Sequence, residues 1–261
     1  MFDFHIHSKV SYDSRSEPMD IIHKAEEEGL KEICFTDHID DDPRGIVMDW
    51  RYTAEEHRAA YENIKSDRVK VHFGMEFGLL PDNQASFDFY LSQVEYDFVL
   101  GSIHYADNLD VYFAPYWEGK TLLQAERKYL EDMLCCVRNH DKFDVLGHMT
   151  YLGKARAHPT HKPIPLEQHR EVVEEIMKTL ISKGKGMEIN TSGFYRCGDF
   201  LPGAEYLRLF RSLGGEIVTV GSDAHTADRV GERCREACEI LKDIFGYVCT
   251  FEDRKPIFHK L

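Results

Sequence analysis

A chain of 261 residues with 43 % hydrophobic and 30 % charged side chains, 18 glycines and 9 prolines has the material for one large core, which excludes disordered, collagen-like and low-complexity proteins. Its 32 basic and 46 acidic residues give a formal charge of −14, so the average surface repels nucleic acid and anionic membranes, while an anionic small molecule stays open wherever bound cations reverse the local field. The seven cysteines form no CxxC pair, no apolar run reaches the roughly 18 residues of a membrane span, and MFDFHIHSKVSYDSRSEP lacks the basic-then-apolar pattern of a leader; the expectation is a cytoplasmic chain with reduced thiols.

In chain order, short apolar segments with β-branched or aromatic content predict strands at 1–7 (MFDFHIH), 32–38 (EICFTDH), 70–78 (KVHFGMEFG), 98–104 (FVLGSIH), 144–150 (DVLGHMT), 186–192 (GMEINTS) and 217–225 (IVTVGSDAH). Between them helical periodicity predicts helices at 18–30, 53–66, 122–140, 165–184, 203–214 and 229–246. Pro18 suits a first helical turn, Thr53 with Glu56 reads as a capping box, and Gly184, Gly214 and Gly246 mark helix ends. Two stretches break the rhythm: 102–121, polar and aromatic with too little periodicity for a helix, and 151–166, rich in Pro, His and basic residues. Both follow strand ends, where loops cover a site and select its ligand.

His5 and Asp223 lie 218 positions apart across six strand-to-strand intervals, an average of about 36 residues, which is the length of a βα unit. Nearly every predicted strand ends in ionisable or polar residues: His5 and His7, Asp37 and His38, Glu76, His104, His148, Glu188 and Asn190, then Asp223 and His225. A doubly wound sheet concentrates its site at one switch point, whereas a barrel gathers the C-terminal ends of all its strands at one mouth. The spread of these residues therefore favours an α/β barrel formed by residues 1–261 as a single domain.

Positions 5 and 7 of DFHIH point to the same side of an extended segment. With Asp13, His38, Glu76, His104, His148, Asp223 and His225 they make nine candidate metal ligands, six imidazoles and three carboxylates. Such nitrogen and oxygen donors without cysteine suit zinc, manganese or iron(II). Burying that many ionisable groups at one mouth without cations would be costly.

The segments DFHIHSKVSYD, CFTDH, GMEFG, GSIH, GHMT, EINTSG and GSDAH, in this order over essentially the whole chain, resemble the polymerase and histidinol phosphatase (PHP) family of metallophosphoesterases. EINTSG and the chain length are most similar to its histidinol-phosphatase branch. The resemblance implies a distorted seven-stranded (β/α)7 TIM-like barrel and a cluster of three divalent ions. Carried over by motif, His5, His7, Glu76 and Asp223 would hold the first ion. Glu76 would bridge to a second held also by His104 and His148, and Asp13, His38 and His225 would hold the third, with Glu76, Asp223 and His225 nearest the chemistry. The implied reaction is in-line hydrolysis of a phosphate monoester without a phosphoenzyme, and L-histidinol phosphate is the expected substrate.

A phosphate needs donors, and Arg156, Arg196 and Ser192 stand in the two loops nearest the expected mouth. Asp37, one residue from His38, is expected to orient a ligand rather than to coordinate. Tyr112, Tyr116 and Trp117 either line the mouth or pack, His158 and His161 are expected to be solvent-exposed, and no cysteine arrangement reads as catalytic. Rival readings are a phosphoesterase of the same family acting on a nucleotide, sugar phosphate or nucleic-acid end, against whose long forms the acidic balance weighs, and a noncatalytic metal-stabilised scaffold.

Overall fold

The computed structural model describes residues 1–45 and 50–261. The chain opens with β1 (Phe2–Ile6), α1 (Pro18–Glu27), β2 (Glu32–Ile39), α2 (Ala54–Tyr61), β3 (Lys70–Gly78), α3 (Gln84–Leu91) and β4 (Phe98–Ser102). A small hairpin, β5 (Tyr105–Ala106) and β6 (Leu109–Asp110), and the short helix α4 (Ala114–Trp117) precede α5 (Leu122–Asn139), β7 (Val145–Leu146) and α6 (Leu166–Ser182). There follow β8 (Gly186–Asn190), α7 (Phe194–Cys197), α8 (Ala204–Ser212), β9 (Val218–Gly221), α9 (Cys234–Ile244) and a terminal hairpin, β10 (Tyr247–Glu252) and β11 (Lys255–Lys260).

Seven strands form one parallel sheet in the order β1-β2-β3-β4-β7-β8-β9. Covered on both faces, strands such as β1, β4 and β8 are buried along their whole length, which is why their sequences read as near-continuous apolar runs. The sheet curls until its ends meet just beyond β1 and β9, where the Asp223 N–H donates to the His5 carbonyl at 2.7 Å and the His7 N–H to the Ala224 carbonyl at 2.9 Å. A single parallel bridge, Ile6 with Ala224, joins the two edges, so the barrel closes at that rim and not by a ladder between β1 and β9.

The helices pack their apolar stripes outside the sheet. On α5, Tyr129, Met133, Cys136 and Val137 face the Val172, Ile176 and Leu180 stripe of α6. Thr53 with Glu56 and Thr121 with Gln124 form capping boxes that satisfy the free N–H groups at the starts of α2 and α5. Pro18 occupies the first turn of α1, and Gly184, Gly214 and Gly246 take positive φ after their helices as expected.

Several boundaries are tighter than the periodicity predicts. The segment 229–246 is helical only from Cys234, because Gly231 and Arg233 adopt φ of 74° and 55° and break the first turn. The segment 53–66 stops being helical at Tyr61, and in 144–150 only Val145 and Leu146 join the sheet. Loop 102–121, expected to be without a helix, contains the one-turn α4. The terminal hairpin lies beyond the last predicted element. Its Phe251 packs on Phe98 at 4.8 Å, its His259 on Phe2 at 4.5 Å, and Arg254 pairs with Asp144 at 2.5 Å, so it covers the strand starts at the end of the barrel opposite the site. No helix among the described residues is long and apolar enough to cross a membrane.

Candidate metal centre

Consecutive barrel strands deliver their C-terminal side chains to one rim, and the closing strand sets the spacing. Gly221 lets β9 pass beside β1: a Cβ there would collide with His5 and with Glu188. Two residues on, Asp223 adopts φ of 54°, a left-handed conformation that aspartate tolerates better than most residues, and turns into the mouth. Asp3, fully buried below, accepts the N–H groups of Ser222 and Gly231 at 2.8 Å each and so pins this turn; burial pushes its carboxyl up to about 6.

All nine candidate ligands converge there. His5 Nε2 and His7 Nε2 lie 3.2 and 3.5 Å from Glu76 Oε2, and 3.8 and 3.4 Å from Asp223 Oδ1. The other oxygen of the same carboxylate, Glu76 Oε1, faces His148 Nε2 at 2.7 Å and His104 Nε2 at 3.4 Å. Asp13 Oδ2 stands 3.0 Å from His225 Nε2 and 3.7 Å from His38 Nε2, and those two nitrogens are 3.4 Å apart. Asp13 is exposed and His225 half-buried; the other seven are buried.

The donor set fits divalent cations. His5 Nε2, His7 Nε2 and Glu76 Oε2 are buried and have no hydrogen-bond partner, an arrangement that is costly unless something else satisfies them. Meanwhile the far nitrogens of four imidazoles are tied. His5 Nδ1 donates to Glu188 at 2.7 Å, His7 Nδ1 to Ser11 Oγ at 3.1 Å, His104 Nδ1 to Asp40 at 2.8 Å and His225 Nδ1 to the Asp223 carbonyl at 2.9 Å. Each contact leaves Nε2 as the free lone pair aimed at the centre, the pattern of oriented metal-binding imidazoles.

Electrostatics follow from this crowding. Burial pushes the Glu76 carboxyl up, but the imidazoles of His5, His38 and His104 outweigh it and hold the group well below the usual carboxylate range. Asp223 is likewise held low against its burial by Lys154, His5 and His225. Burial lowers His5, His38 and His104, yet adjacent carboxylates overturn that and raise all three, His38 to about 9. Burial lowers His148, and burial together with the His38 and His225 imidazoles lowers His7. The cluster therefore pairs persistent negative charge with nitrogens that cations can claim.

Asp37 does not reach His38. Its carboxylate accepts from Ser8 N–H at 2.7 Å, from Ser11 Oγ at 2.8 Å and from Tyr61 Oη, so it orients the serine that in turn holds His7. Sequence reading passed over Asp40, which is buried and bonded to His104, with His38 Nδ1 3.4 Å away. The alternation of HID was the available signal, since positions 38 and 40 share a side of an extended chain. Gly78 leaves the space that the Asp40 carboxylate fills.

A cavity of about 60 Å³ lies directly over the donors and opens into an outer one of about 480 Å³. Ser192 and Arg196 line the outer cavity; Arg156 is exposed and lines neither. Lys154, in the single turn Tyr151–Lys154, lines both, pairs with Asp223 and donates to Ser192 Oγ at 2.7 Å. Arg229, also unforeseen, lies on the outer wall with its guanidinium 4.1 Å over the Tyr195 ring. Tyr112 lines that cavity, whereas Tyr116 is wholly buried and Trp117 donates to the Val111 carbonyl. His158, expected in solvent, is 3 % exposed because its ring packs on Trp117 at 5.0 Å and Nδ1 accepts the N–H groups of Thr160 and His161. All seven cysteines are unpaired.

Against this geometry, residues 3–192 match the family model described as PHP domain. A histidinol-phosphatase of Lactococcus lactis is 30 % identical over 258 residues, covering 97 % of this chain and 95 % of that protein. A probable histidinol-phosphatase of Thermotoga maritima is 28 % identical over the full length of both. Among solved structures, the L. lactis histidinol phosphate phosphatase complexed with zinc, L-histidinol and phosphate superposes with a TM-score of 0.84 at 29 % identity, covering 98 % of each chain.

Proposed function

From the premise that this chain belongs to the PHP domain family, we propose that it is a metal-dependent phosphatase that hydrolyses L-histidinol phosphate to L-histidinol and phosphate, a step of histidine biosynthesis. The observation that carries the reading is the convergence of nine nitrogen and oxygen donors beneath a cavity, in a chain similar over its whole length to a phosphatase solved with zinc, L-histidinol and phosphate. In this reading residues 1–261 act as one domain, and the seven unpaired cysteines suit the cytoplasm.

His5, His7, Glu76 and Asp223 would hold one divalent ion, Glu76 with His104 and His148 a second, and Asp13 with His38 and His225 a third. The carboxylate with two oxygens facing different groups is the shared member. Zinc suits this nitrogen and oxygen set, and manganese or iron(II) are the alternatives. When bound, such ions neutralise phosphate oxygens and lower the pKa of the attacking water. The chain's own residues do the rest. Glu188, Ser11 and Asp40 hold the imidazoles in orientation; Asp223 and His225 line the cavity where the reacting phosphate would sit, and Glu76, wholly buried, would act from beneath them through the ions it holds. Arg196, Lys154 and Ser192 offer it hydrogen bonds from the cavity wall, Lys154 taking the part the sequence suggested for Arg156.

The test is release of inorganic phosphate and L-histidinol from L-histidinol phosphate by the zinc-reconstituted protein; absence of release overturns the proposal. Arg196→Ala is expected to lower kcat/KM by about tenfold to a hundredfold, the worth of a charged hydrogen bond to phosphate, chiefly through KM. Metal content measured on the same sample should equal that of the wild type, because Arg196 belongs to none of the clustered donor groups. Loss of metal in this variant would contradict the division between metal-holding and phosphate-holding residues.

A further inference from the structure

The hydrogen bonds behind His7 can be followed, proton by proton, from the metal centre out to the helix layer. The Ser11 hydroxyl has one proton and two lone pairs. Its proton goes to Asp37 Oδ1 at 2.8 Å, and its lone pairs receive the His38 N–H at 3.0 Å and His7 Nδ1–H at 3.1 Å. With the hydroxyl proton committed to the carboxylate, His7 Nδ1 can only donate, and the ring's lone pair is left on Nε2, which faces Glu76 and Asp223 at 3.5 and 3.4 Å. Whatever holds Asp37 in place as an acceptor therefore sets the tautomer of a metal-binding imidazole.

Tyr61, the last residue of α2, meets that carboxylate from the helix layer. Asp37 shares a side of β2 with Phe35, opposite to His38. The Tyr61 ring packs on Phe35 at 4.9 Å and on Phe73 at 5.0 Å, and its hydroxyl donates to Asp37 Oδ2. Ser8 Oγ lies 2.7 Å from the same hydroxyl and accepts the Val10 N–H at 3.1 Å. The donated protons thus run inward from both sides, through Ser8 and Tyr61 to one oxygen of Asp37 and from His7 through Ser11 to the other, and such chains strengthen each member. Tyr61 is buried and lines neither cavity of the metal centre, so it touches no reacting group. Resting on the metal-centre part of the phosphatase reading and not on the choice of ester, we propose that Tyr61 is a positioning residue: through Asp37 and Ser11 it fixes the His7 imidazole with Nε2 free for a cation.

Zinc affinity, read by competition with a chromogenic chelator and without substrate, tests this in the wild type, Tyr61→Phe, Asp37→Asn and Tyr96→Phe. Tyr61→Phe keeps the ring and removes one donor. It is expected to weaken zinc binding about tenfold, the lower end for groups that stand behind a metal ligand, and to lower kcat while KM changes less than about twofold. Asp37→Asn, the second variant should the first fold poorly, is expected to weaken zinc binding at least as much. Tyr96→Phe is the structural control: it removes a buried hydroxyl bonded to Tyr52 at 3.1 Å and packed beside His57 of the same helix, outside the path to His7, and should bind zinc as the wild type does. In a Ser11→Ala background Tyr61→Phe is expected to change zinc affinity less than about twofold, because the path is already cut. A Tyr61→Phe protein that loses thermal stability yet binds zinc like the wild type, or whose weakened binding persists undiminished in the Ser11→Ala background, overturns the inference alone. A wild type that binds no zinc overturns the metal centre and the inference together.

Discussion

Glu76→Ala is expected to lose turnover by about 10³-fold or more, at least 4 kcal/mol of transition-state stabilisation, and to lose bound metal with it. The two oxygens of Glu76 face different imidazole groups at the centre of the cluster, His5, His7 and His38 on one side and His104 and His148 on the other. Removing Glu76 deletes a ligand from two positions at once and leaves five buried imidazoles, those of His5, His7, His38, His104 and His148, without the charge that balances them. Glu76→Gln, nearly isosteric, separates charge from volume and should be almost as damaging. Metal analysis and steady-state kinetics on the same preparation decide the matter: full metal occupancy with near-normal turnover in either variant would rule out a shared carboxylate.

Stripping the metals from the wild type is expected to abolish activity and to soften the fold. Cations that bind only the folded chain stabilise it by mass action, about 2.7 kcal/mol for one site at a free concentration of 100 Kd, which corresponds to roughly 5–10 °C in Tm for a chain of this size. The reason is local: His5 Nε2, His7 Nε2 and Glu76 Oε2 are buried with no hydrogen-bond partner, so in the chelated protein only their mutual charge attraction offsets their desolvation. Dialysis against a chelator followed by thermal unfolding and an activity assay, with zinc added back, measures both effects. A chelated protein with full turnover and an unchanged Tm would show that the cluster is not a metal centre.

The barrel and the donor cluster were legible for related reasons. Strands buried on both faces spell themselves out as apolar runs, and a ligand on a barrel strand falls at its C-terminal end, so His5, His7, Glu76 and Asp223 announce themselves by place as well as by type. Elements outside that logic did not. Helix α3 buries only Phe87 and has almost no apolar stripe to read. The β10–β11 hairpin turns through Asp253 and Arg254, both at positive φ, without the glycine that normally signals such a turn. Asp40 lies one residue beyond the end of its strand. Choosing between Lys154 and Arg156 needed the single helical turn at Tyr151–Lys154, which directs the lysine inward and leaves the arginine outside. His158 was misplaced because a histidine beside proline reads as loop surface, while its burial depends on Trp117, some 40 residues earlier in the chain.

The most direct test of the central claim is the catalytic efficiency of the zinc-reconstituted enzyme on L-histidinol phosphate measured beside sugar phosphates and nucleotides. The account predicts a preference for L-histidinol phosphate of at least about tenfold, equivalent to roughly 1.4 kcal/mol of transition-state discrimination. A flat profile, or a reproducible preference for a nucleotide or another metabolite, would contradict it.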